Sequence, residues 1–349
     1  MRLLILLVFL SLPTYATCQY YEGKCQADWM RDLPDSIKSR PLNQIHLPGS
    51  HDSAAYYFNL SATPSLKTPM MNWAINIARR EPIIAGLIQR TTLTQKLTLM
   101  QQLEQGVRAL DLRIFYNQAL KAFYLAHSIA SIPLDSALEQ IQAFLKVHPT
   151  ELLLVQMQPD AEHSENHQPY QEQALDKIEI TLSSLLVPRL NKFTFNQTLT
   201  MRDLLAKKYQ ILWSTTLDPQ RPRRAIWPTN AFNTYWPNSQ NTTESLDRIV
   251  DYIQELESGN QLNLVFFTVT PTQDSLIAAI VGYAAECDTP DSLIEWSELM
   301  NRASIEYINN ASRELKSVNI ISSDAPSDEL IQKIIELNFH VPAKPAITG

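Results

Sequence analysis

The chain has 349 residues, of which 45% are hydrophobic, and a formal net charge of −7 at pH 7. A chain of this length can bury a large core as one domain or as two smaller ones. The acidic balance argues against binding to nucleic acid or to broadly anionic surfaces, both of which require basic faces.

The first predicted element is a secretory signal peptide over residues 1–16. One arginine precedes an apolar run that ends near Leu12, and the sequence TYA follows at 14–16. The run is too short for a typical membrane helix, and no later stretch reaches about 18 apolar residues. We therefore expect a secreted, extracellular protein whose mature part covers residues 17–349.

Cysteines and sequons are compatible with export. Cys18 and Cys25 could close a small disulfide loop in an oxidising compartment, which would leave Cys287 unpaired. Sequons of the type N-x-S/T would carry glycans only in a eukaryotic secretory pathway. They begin at Asn59, Asn196, Asn241 and Asn310.

Downstream of residue 17, apolar β-branched segments alternate with longer helical patterns. Predicted strands cover 43–47, 107–115, 122–126, 151–158, 209–215, 262–270 and 318–324. Predicted helices lie near 92–105, 134–147, 169–186, 200–208, 244–258, 291–316 and 327–337. This alternation predicts an α/β fold with a parallel sheet, either closed as a β/α barrel or open and doubly wound.

Polar residues gather at one end of the predicted strands. His51 follows the first strand by a short turn, His127 follows the third, and Asp324 closes the last. In a β/α barrel the catalytic groups lie at the carboxyl ends of the strands. The pattern favours a barrel with its active site at one rim, although part of it would arise in any parallel sheet.

Three sequence blocks carry a more specific signal. They are LPGSHDSA at 47–54, QLEQGVRALDLRI at 102–114 and AFYLAHSIASIPLDSALEQI at 122–141. Together they resemble the signature blocks of the phosphatidylinositol-specific phospholipase C X domain, and the resemblance extends roughly over residues 29–335. It is closest to the metal-independent, stand-alone type of X domain. It implies a distorted TIM-type (β/α) barrel in one domain.

The resemblance implies cleavage of a phosphodiester by two histidines. His51 would act as the base on an attacking substrate hydroxyl, and His127 as the acid that protonates the leaving alkoxide. Asp324 would orient His51, and Asp52 would support the acid side. Surface or capping roles are the structural alternative for the histidines, and a helix cap is the alternative for Asp324.

The same resemblance assigns a cation to the phosphate. Arg113 would contact the phosphoryl oxygens with its planar fork of donors, with Asp111 beside it. The two could instead form a structural ion pair, since they alternate along one strand. Calcium-dependent relatives carry a glutamate where this chain has Ala109, so an arginine in place of a metal ion is the simpler interpretation. No metal or cofactor is expected.

The residues around the headgroup differ from those of the bacterial enzymes. Gln158 stands where they have a lysine that contacts inositol, and Ser214 or Thr215 stands in place of an arginine. These differences leave the headgroup open. In the predicted loop NAFNTYWPNS, Tyr235 and Trp236 could form a platform against a sugar-like ring, or could anchor the loop in the core.

Residues 69–90 form an insertion between the first two blocks. Its apolar side chains could touch a bilayer, and two arginines could lie near lipid headgroups. These residues are Met70, Met71, Trp73, Ile77 and Ile84, with Arg79 and Arg80. The alternative is an extra helix packed on the barrel rim.

The sequence therefore predicts a phosphoric diester hydrolase that acts on a phospholipid or a glycerophosphodiester. Motifs of serine hydrolases, zinc proteases and dinucleotide enzymes do not occur in it. The main alternative is a secreted lipid- or sugar-phosphate-binding protein with little or no turnover. A metal-dependent phosphodiesterase, which chelators would inhibit, is a third hypothesis.

Overall fold

The computed structural model of the protein describes residues 20–21, 24–166, 170–189, 199–217, 219, 221–257, 259, 261–272, 290 and 292–340. The predicted signal peptide, Cys18, Cys287 and the sequon at Asn196 lie outside the described residues.

The described segments contain twelve β-strands. They are β1 Tyr20–Tyr21, β2 Lys24–Cys25, β3 Leu47–Ser50, β4 Ala109–Asn117, β5 Ala122–His127, β6 Ile129–Pro133, β7 Leu153–Pro159, β8 Ile211–Thr215, β9 Ile226–Pro228, β10 Phe232–Tyr235, β11 Leu262–Phe266 and β12 Ile320–Ser323. β1 and β2 form a separate antiparallel pair, and β5 and β6 extend β4 as an antiparallel hairpin.

The eight remaining strands form one curled parallel sheet in the order β10-β11-β12-β3-β4-β7-β8-β9. From β3 to β9 and from β10 to β12, neighbouring strands of this sheet occur in chain order. The last strand, β12, pairs with the first, β3, as it does in a closed β/α barrel. Among the described residues no pairing joins β9 to β10. The fold is therefore the predicted α/β barrel of TIM type, distorted by an open seam.

Ten α-helices are present in these same segments. They are α1 Asp35–Lys38, α2 Pro69–Ala78, α3 Pro82–Arg90, α4 Leu99–Gln105, α5 Leu134–Val147, α6 Gln171–Thr181, α7 Met201–Ala206, α8 Thr242–Glu255, α9 Leu293–Ala311 and α10 Asp328–His340. None of them combines the length and the apolar character that crossing a bilayer requires.

Packing between sheet and helices explains the periodicities of the sequence. In α5 the buried residues recur every three or four positions, which gives one apolar face. β7 is buried on both faces over its first five residues, as expected for a central parallel strand. α4 begins at a Thr98 capping box and ends at Gly106, whose φ of +113° favours glycine.

The end of the barrel opposite the predicted site is fixed by a buried ion pair. Arg108 and Glu151 are both fully buried, and Arg108 Nη2 lies 2.7 Å from Glu151 Oε2. Glu151 also accepts from the backbone N–H groups of Met30 and Arg31. The remaining donors of Arg108 bind the carbonyls of Ala27, Leu103 and Val107. Removing either charge would leave its partner buried and unpaired, so this pair is structural.

The predicted strand at 43–47 is wrong. Residues Leu42–Gln44 form a 3₁₀ helix, and the strand covers Leu47–Ser50 instead. Its Pro48-Gly49 pair resembles a turn in sequence. Gly49 is needed in the strand because a Cβ there would lie 3.1 Å from both Ile320 and Ser322 of β12.

Two further segments differ from the sequence prediction. The predicted helix 92–105 begins only at Leu99, because residues 92–95 bind the two histidine loops described below. The insertion 69–90 is two helices, since Pro82 starts a new helix after Ala78.

Candidate active site

His51 begins the loop after β3 and is almost completely buried. Its Nδ1–H donates to Asp324 Oδ1 at 2.7 Å, because a carboxylate can only accept. Its Nε2 lies 3.1 Å from Asp52 Oδ2 and 3.8 Å from Asp111 Oδ2. Three carboxylates therefore surround one imidazole.

Short polar contacts set the shape of this loop. The His51 N–H donates to the Ser323 carbonyl of β12, which fixes the loop to the neighbouring strand. Asp52 has a φ of +40°, a left-handed conformation that aspartate tolerates better than most residues. The Ser53 hydroxyl accepts from the Asp111 N–H at 2.9 Å and so joins β3 to β4.

Arg113 is the cation of the cluster. Its Nη2 donates to Asp111 Oδ2 at 2.9 Å, and its Nε donates to Asp111 Oδ1 at 3.1 Å. The same Nε lies 3.1 Å from Asp52 Oδ1. The guanidinium thus binds both carboxylates while its side chain stays 24% exposed.

His127 ends β5 and faces the cluster from the other side. Its Nδ1–H donates to the Thr92 carbonyl at 2.8 Å, which leaves Nε2 directed at Asp52 Oδ2, 3.6 Å away. Its side chain is 34% exposed, against 8% for His51. The two ring centroids are 6.4 Å apart. One imidazole is thus enclosed and the other is open to solvent.

Charges and burial shift the ionisation of the buried groups. Burial alone lowers the pKa of His51, but the carboxylates of Asp52, Asp324 and Asp111 outweigh it and raise the pKa to about 9. Burial raises the pKa of Asp52, and the positive charges of His51, Arg113 and His127 lower it further than burial raises it. Asp52 is therefore ionised at neutral pH.

Aromatic rings form one wall beside His51. The ring centroid of Trp236 lies 4.6 Å from that of His51, and the centroid of Phe266 lies 5.3 Å from it. Trp236 is held by its Nε1–H, which donates to Thr270 Oγ1 at 2.8 Å. On the opposite side, Gln158 Nε2 donates to Asp111 Oδ1 at 3.2 Å.

Tyr235 is not part of this cluster, and its predicted loop position is wrong. It is the last residue of β10, and successive residues of a strand face opposite sides. Its ring stacks on Tyr252 at 4.0 Å, and its hydroxyl donates to the Arg248 carbonyl. It anchors α8 to the sheet. Of the two adjacent aromatic residues, only Trp236 packs against His51.

Three side chains of the cluster have donor atoms arranged as for a metal ion. One ligand atom each from His51, Asp52 and Asp111 lies within 4.8 Å of the others. The Arg113 guanidinium already binds the carboxylates of both aspartates. A divalent cation at this place would meet a fixed positive charge, so the donor set fits an arginine-centred site better than a metal.

Residues 92–95 join the two histidine loops, and the sequence analysis missed them. Thr92 accepts from His127, and Gln95 Nε2 donates to the His51 carbonyl at 2.7 Å. The Thr94 carbonyl accepts from the N–H of Ala325, next to Asp324. The only signal in the sequence was a run of polar residues, TTLTQ, before the first apolar position of α4.

The arrangement can do one kind of chemistry well. Two imidazoles flank a carboxylate and a guanidinium at the carboxyl ends of parallel strands, and one imidazole is accessible. Imidazoles can exchange protons, and a guanidinium can stabilise charge on an oxyanion. All the predicted catalytic residues meet here, together with Gln158 and Trp236.

Comparisons with known proteins agree with this geometry. No protein-family model matches the chain. The chain is 24% identical over 320 residues to PI-PLC X domain-containing protein 2 of Mus musculus, covering 90% of this chain and 88% of that one. It is 25% identical over 334 residues to PI-PLC X domain-containing protein 3 of Danio rerio, covering 92% and 96%. The predicted resemblance is confirmed.

Solved structures show the same fold. The phosphatidylinositol-specific phospholipase C of Listeria monocytogenes superposes with a TM-score of 0.57 at 20% identity, covering 89% of this chain and 98% of that one. A variant of the Staphylococcus aureus enzyme superposes with a TM-score of 0.58 at 14% identity, covering 92% and 98%. The chain therefore has the distorted TIM-type barrel of a phospholipase C.

Proposed function

We propose that the protein is a phosphoric diester hydrolase of phospholipase C type that acts on a phospholipid or a glycerophosphodiester. The observation that carries the proposal is the placement of His51 and His127 around the Asp52 carboxylate and the Arg113 guanidinium. The names of the relatives and the phospholipase C fold support a phosphodiester bond as the target.

The proposed first step moves two protons. A headgroup hydroxyl oxygen next to the phosphate attacks phosphorus, and its proton passes to Nε2 of His51. The bond from phosphorus to the glycerol oxygen breaks, and the leaving alkoxide takes a proton from Nε2 of His127. Arg113 stabilises the negative charge on the phosphoryl oxygens. The products are a cyclic phosphodiester and the freed alcohol.

The carboxylates fix the two histidines for this step. Asp324 holds the Nδ1–H of His51, so that Nε2 faces the substrate side. Asp52 lies between the two Nε2 atoms, at 3.1 Å from one and 3.6 Å from the other. Asp111 orients the guanidinium. Gln158 and Trp236 remain our candidates for headgroup contacts, whereas Tyr235 is withdrawn.

One observation favours the alternative of a phosphate-binding protein without turnover. With a pKa of about 9, His51 is protonated at neutral pH, and a protonated imidazole binds an anion but cannot accept a proton. If the site only binds, this cation and Arg113 would hold a phosphate diester. The two functions differ in how they respond to pH.

Turnover should rise with pH. The base must be unprotonated, and below about pH 9 most of His51 carries a proton, so raising the pH increases the active fraction. We expect an acid limb on which kcat/KM rises by at most about tenfold per pH unit, because the acid His127 must still carry its proton while His51 gives up its own. The measurement is cleavage of phosphatidylinositol vesicles and of glycerophosphodiesters between pH 5 and 10, with and without excess chelator, together with binding of the same vesicles and diesters.

The same experiment separates the three hypotheses. Chelator-resistant turnover with this acid limb supports the proposed function. Inhibition by chelator at every pH would support the metal-dependent phosphodiesterase. Binding of the vesicles or diesters without turnover, even at pH 9, would support the binding protein.

We also propose that α2 and α3 contact the lipid surface. Trp73, Met70 and Ile83 are 65%, 49% and 80% exposed, which is unusual for apolar side chains. The other face of α2 packs on the barrel, since Ile75 belongs to one buried hydrophobic cluster with Leu66 and Ile129 of β6. Arg79 is used internally, because it donates to the Thr63 carbonyl. The insertion is thus both packed on the rim and exposed.

Removing two of these apolar side chains should weaken vesicle binding. For Trp73→Ala/Ile83→Ala we expect about tenfold weaker binding to phospholipid vesicles, because two apolar groups no longer leave water. Hydrolysis of a monomeric, water-soluble diester should not change. Sedimentation of vesicles measures the first and a soluble-substrate assay the second. Ile180→Ala, which alters an apolar side chain that is 76% exposed on α6, is the matched control. Equal vesicle binding by all three proteins would disprove the lipid contact.

Export through the secretory pathway is proposed on the N-terminal sequence alone. Two of the sequon asparagines in the described segments, Asn241 and Asn310, are exposed and could carry glycans. Asn59 is half-buried, and its Nδ2, the atom to which a glycan would be attached, donates to the Ser131 carbonyl at 3.5 Å. We therefore expect glycans at the first two positions rather than at Asn59.

A further inference from the structure

The residue after His127 has an unfavourable backbone conformation. Ser128 has a φ of +58°, in the left-handed region where a residue with a Cβ costs energy and glycine does not. It connects β5 to β6 directly behind the accessible imidazole. Such a conformation persists only when the surroundings fix it.

Two buried side chains fix it. The Ser128 N–H donates to Asp160 Oδ2 at 3.0 Å, and the Ser128 carbonyl accepts from His163 Nε2 at 2.9 Å. Asp160 is 4% exposed and His163 is 1% exposed. Both polar groups of one backbone residue are therefore held by side chains from a single turn after β7.

That turn is itself attached to the sheet. The Asp160 N–H donates to the Ile114 carbonyl of β4, and the His163 ring packs on Phe115 at 4.3 Å between centroids. Burial lowers the pKa of His163, so the ring is neutral and its Nε2 carries the proton that is donated. His163 therefore donates this hydrogen bond to the Ser128 carbonyl at neutral pH.

We propose that Asp160 and His163 are positioning residues that hold Ser128 in its left-handed conformation and thereby aim Nε2 of His127 at the leaving oxygen. This proposal rests on the proposed function, because it assigns His127 the role of acid. The Thr92 carbonyl fixes the His127 ring. Asp160 and His163, which we call the Ser128 clamp, fix the backbone of the residue that follows it.

Loss of the clamp should affect only the step that needs an acid. For Asp160→Ala we expect kcat to fall about 10- to 100-fold on a substrate with an alkyl leaving group, as a misplaced catalytic group does, with little change in KM. On a diester with an acidic phenol as leaving group, which departs without protonation, the loss should be less than about threefold. A general loss of folded protein would reduce both rates equally.

Two more variants test the role of the backbone conformation. Ser128→Gly removes the steric cost of positive φ, so Ser128→Gly/Asp160→Ala should recover most of the activity on the alkyl substrate. Asp160→Asn keeps one oxygen that can accept from the Ser128 N–H but loses the acceptor of the Glu162 N–H, so it should lose less activity than Asp160→Ala. It also serves if Asp160→Ala does not fold.

The outcomes separate this proposal from the proposed function. If the unaltered protein cleaves neither substrate, the proposed function fails. If His127→Ala loses activity only on the alkyl substrate, the proposed function stands. The clamp is then disproved by either of two results for Asp160→Ala: no loss of activity, or an equal loss on both substrates that Ser128→Gly does not rescue. Equal losses in Asp160→Asn and Asp160→Ala would also overturn it, because the negative charge rather than the hydrogen bond would then matter.

Discussion

His51→Ala should lower kcat/KM for phosphodiester cleavage by about 10³-fold at the pH where the unaltered protein is most active, the range expected for removal of a general base. Nε2 of His51 is enclosed by Asp52, Asp111 and the Trp236 ring, so water cannot easily replace it as a proton acceptor. Its side chain is only 8% exposed. The acid limb of the pH profile should disappear together with the activity.

The chain offers a matched control for this variant. His148 also bonds an aspartate through Nδ1 at 2.7 Å, in its case Asp28, and packs on Phe144. His148→Ala removes the same chemical group from outside the site and should leave kcat/KM within about twofold of its original value. A His51→Ala protein that folds, binds vesicles and keeps a tenth or more of the activity would refute the role of His51 as base.

The sequence predicted the side chains of the site much better than their supports. His51 and Asp324 are 273 positions apart in sequence, yet they form a 2.7 Å hydrogen bond. The resemblance to the X domain suggests that pair, because side-chain chemistry leaves a trace in the sequence. Thr92 and Thr94 contribute backbone carbonyls, which every residue type possesses, so their side chains do not reveal this role.

Errors in the predicted elements have equally specific causes. The Pro48-Gly49 pair lies within β3 because β12 approaches Gly49 too closely for a side chain, a condition set by a strand 270 residues later. The sequence predicts a shared role for Tyr235 and Trp236 because they are adjacent in one predicted loop. A strand places adjacent residues on opposite faces, and only the structure shows that a strand reaches Tyr235.

Replacing Arg113 should produce the second large effect. Arg113→Ala should lower kcat/KM by about 10³-fold, because the negative charge that develops on the phosphoryl oxygens would lose the guanidinium. Apart from the two histidines, Arg113 is the only cation among the described residues of the cluster. Asp52 and Asp111 would also repel one another without the guanidinium. We therefore expect a loss of stability as well, of about 2–4 kcal/mol in the free energy of unfolding.

Arg113→Lys separates charge from shape. The planar guanidinium of Arg113 binds Asp111 at 2.9 and 3.1 Å, and its Nε lies 3.1 Å from Asp52. Lysine restores the positive charge but not this planar fork. Most of the stability should therefore return, while activity should stay about tenfold or more below that of the unaltered protein.

The matched control is Arg223, whose side chain is 2% exposed and binds Glu172, Asp176 and Glu179, none of which belongs to the cluster around His51. Arg223→Ala should lower stability by removing a buried charge from a carboxylate network, while kcat/KM of the folded fraction stays unchanged. Denaturant unfolding and steady-state kinetics on the three variants distinguish the two effects. Full activity in folded Arg113→Ala would show that this guanidinium only holds the carboxylates in place, and the phosphate would then need another cation, which chelator sensitivity would reveal.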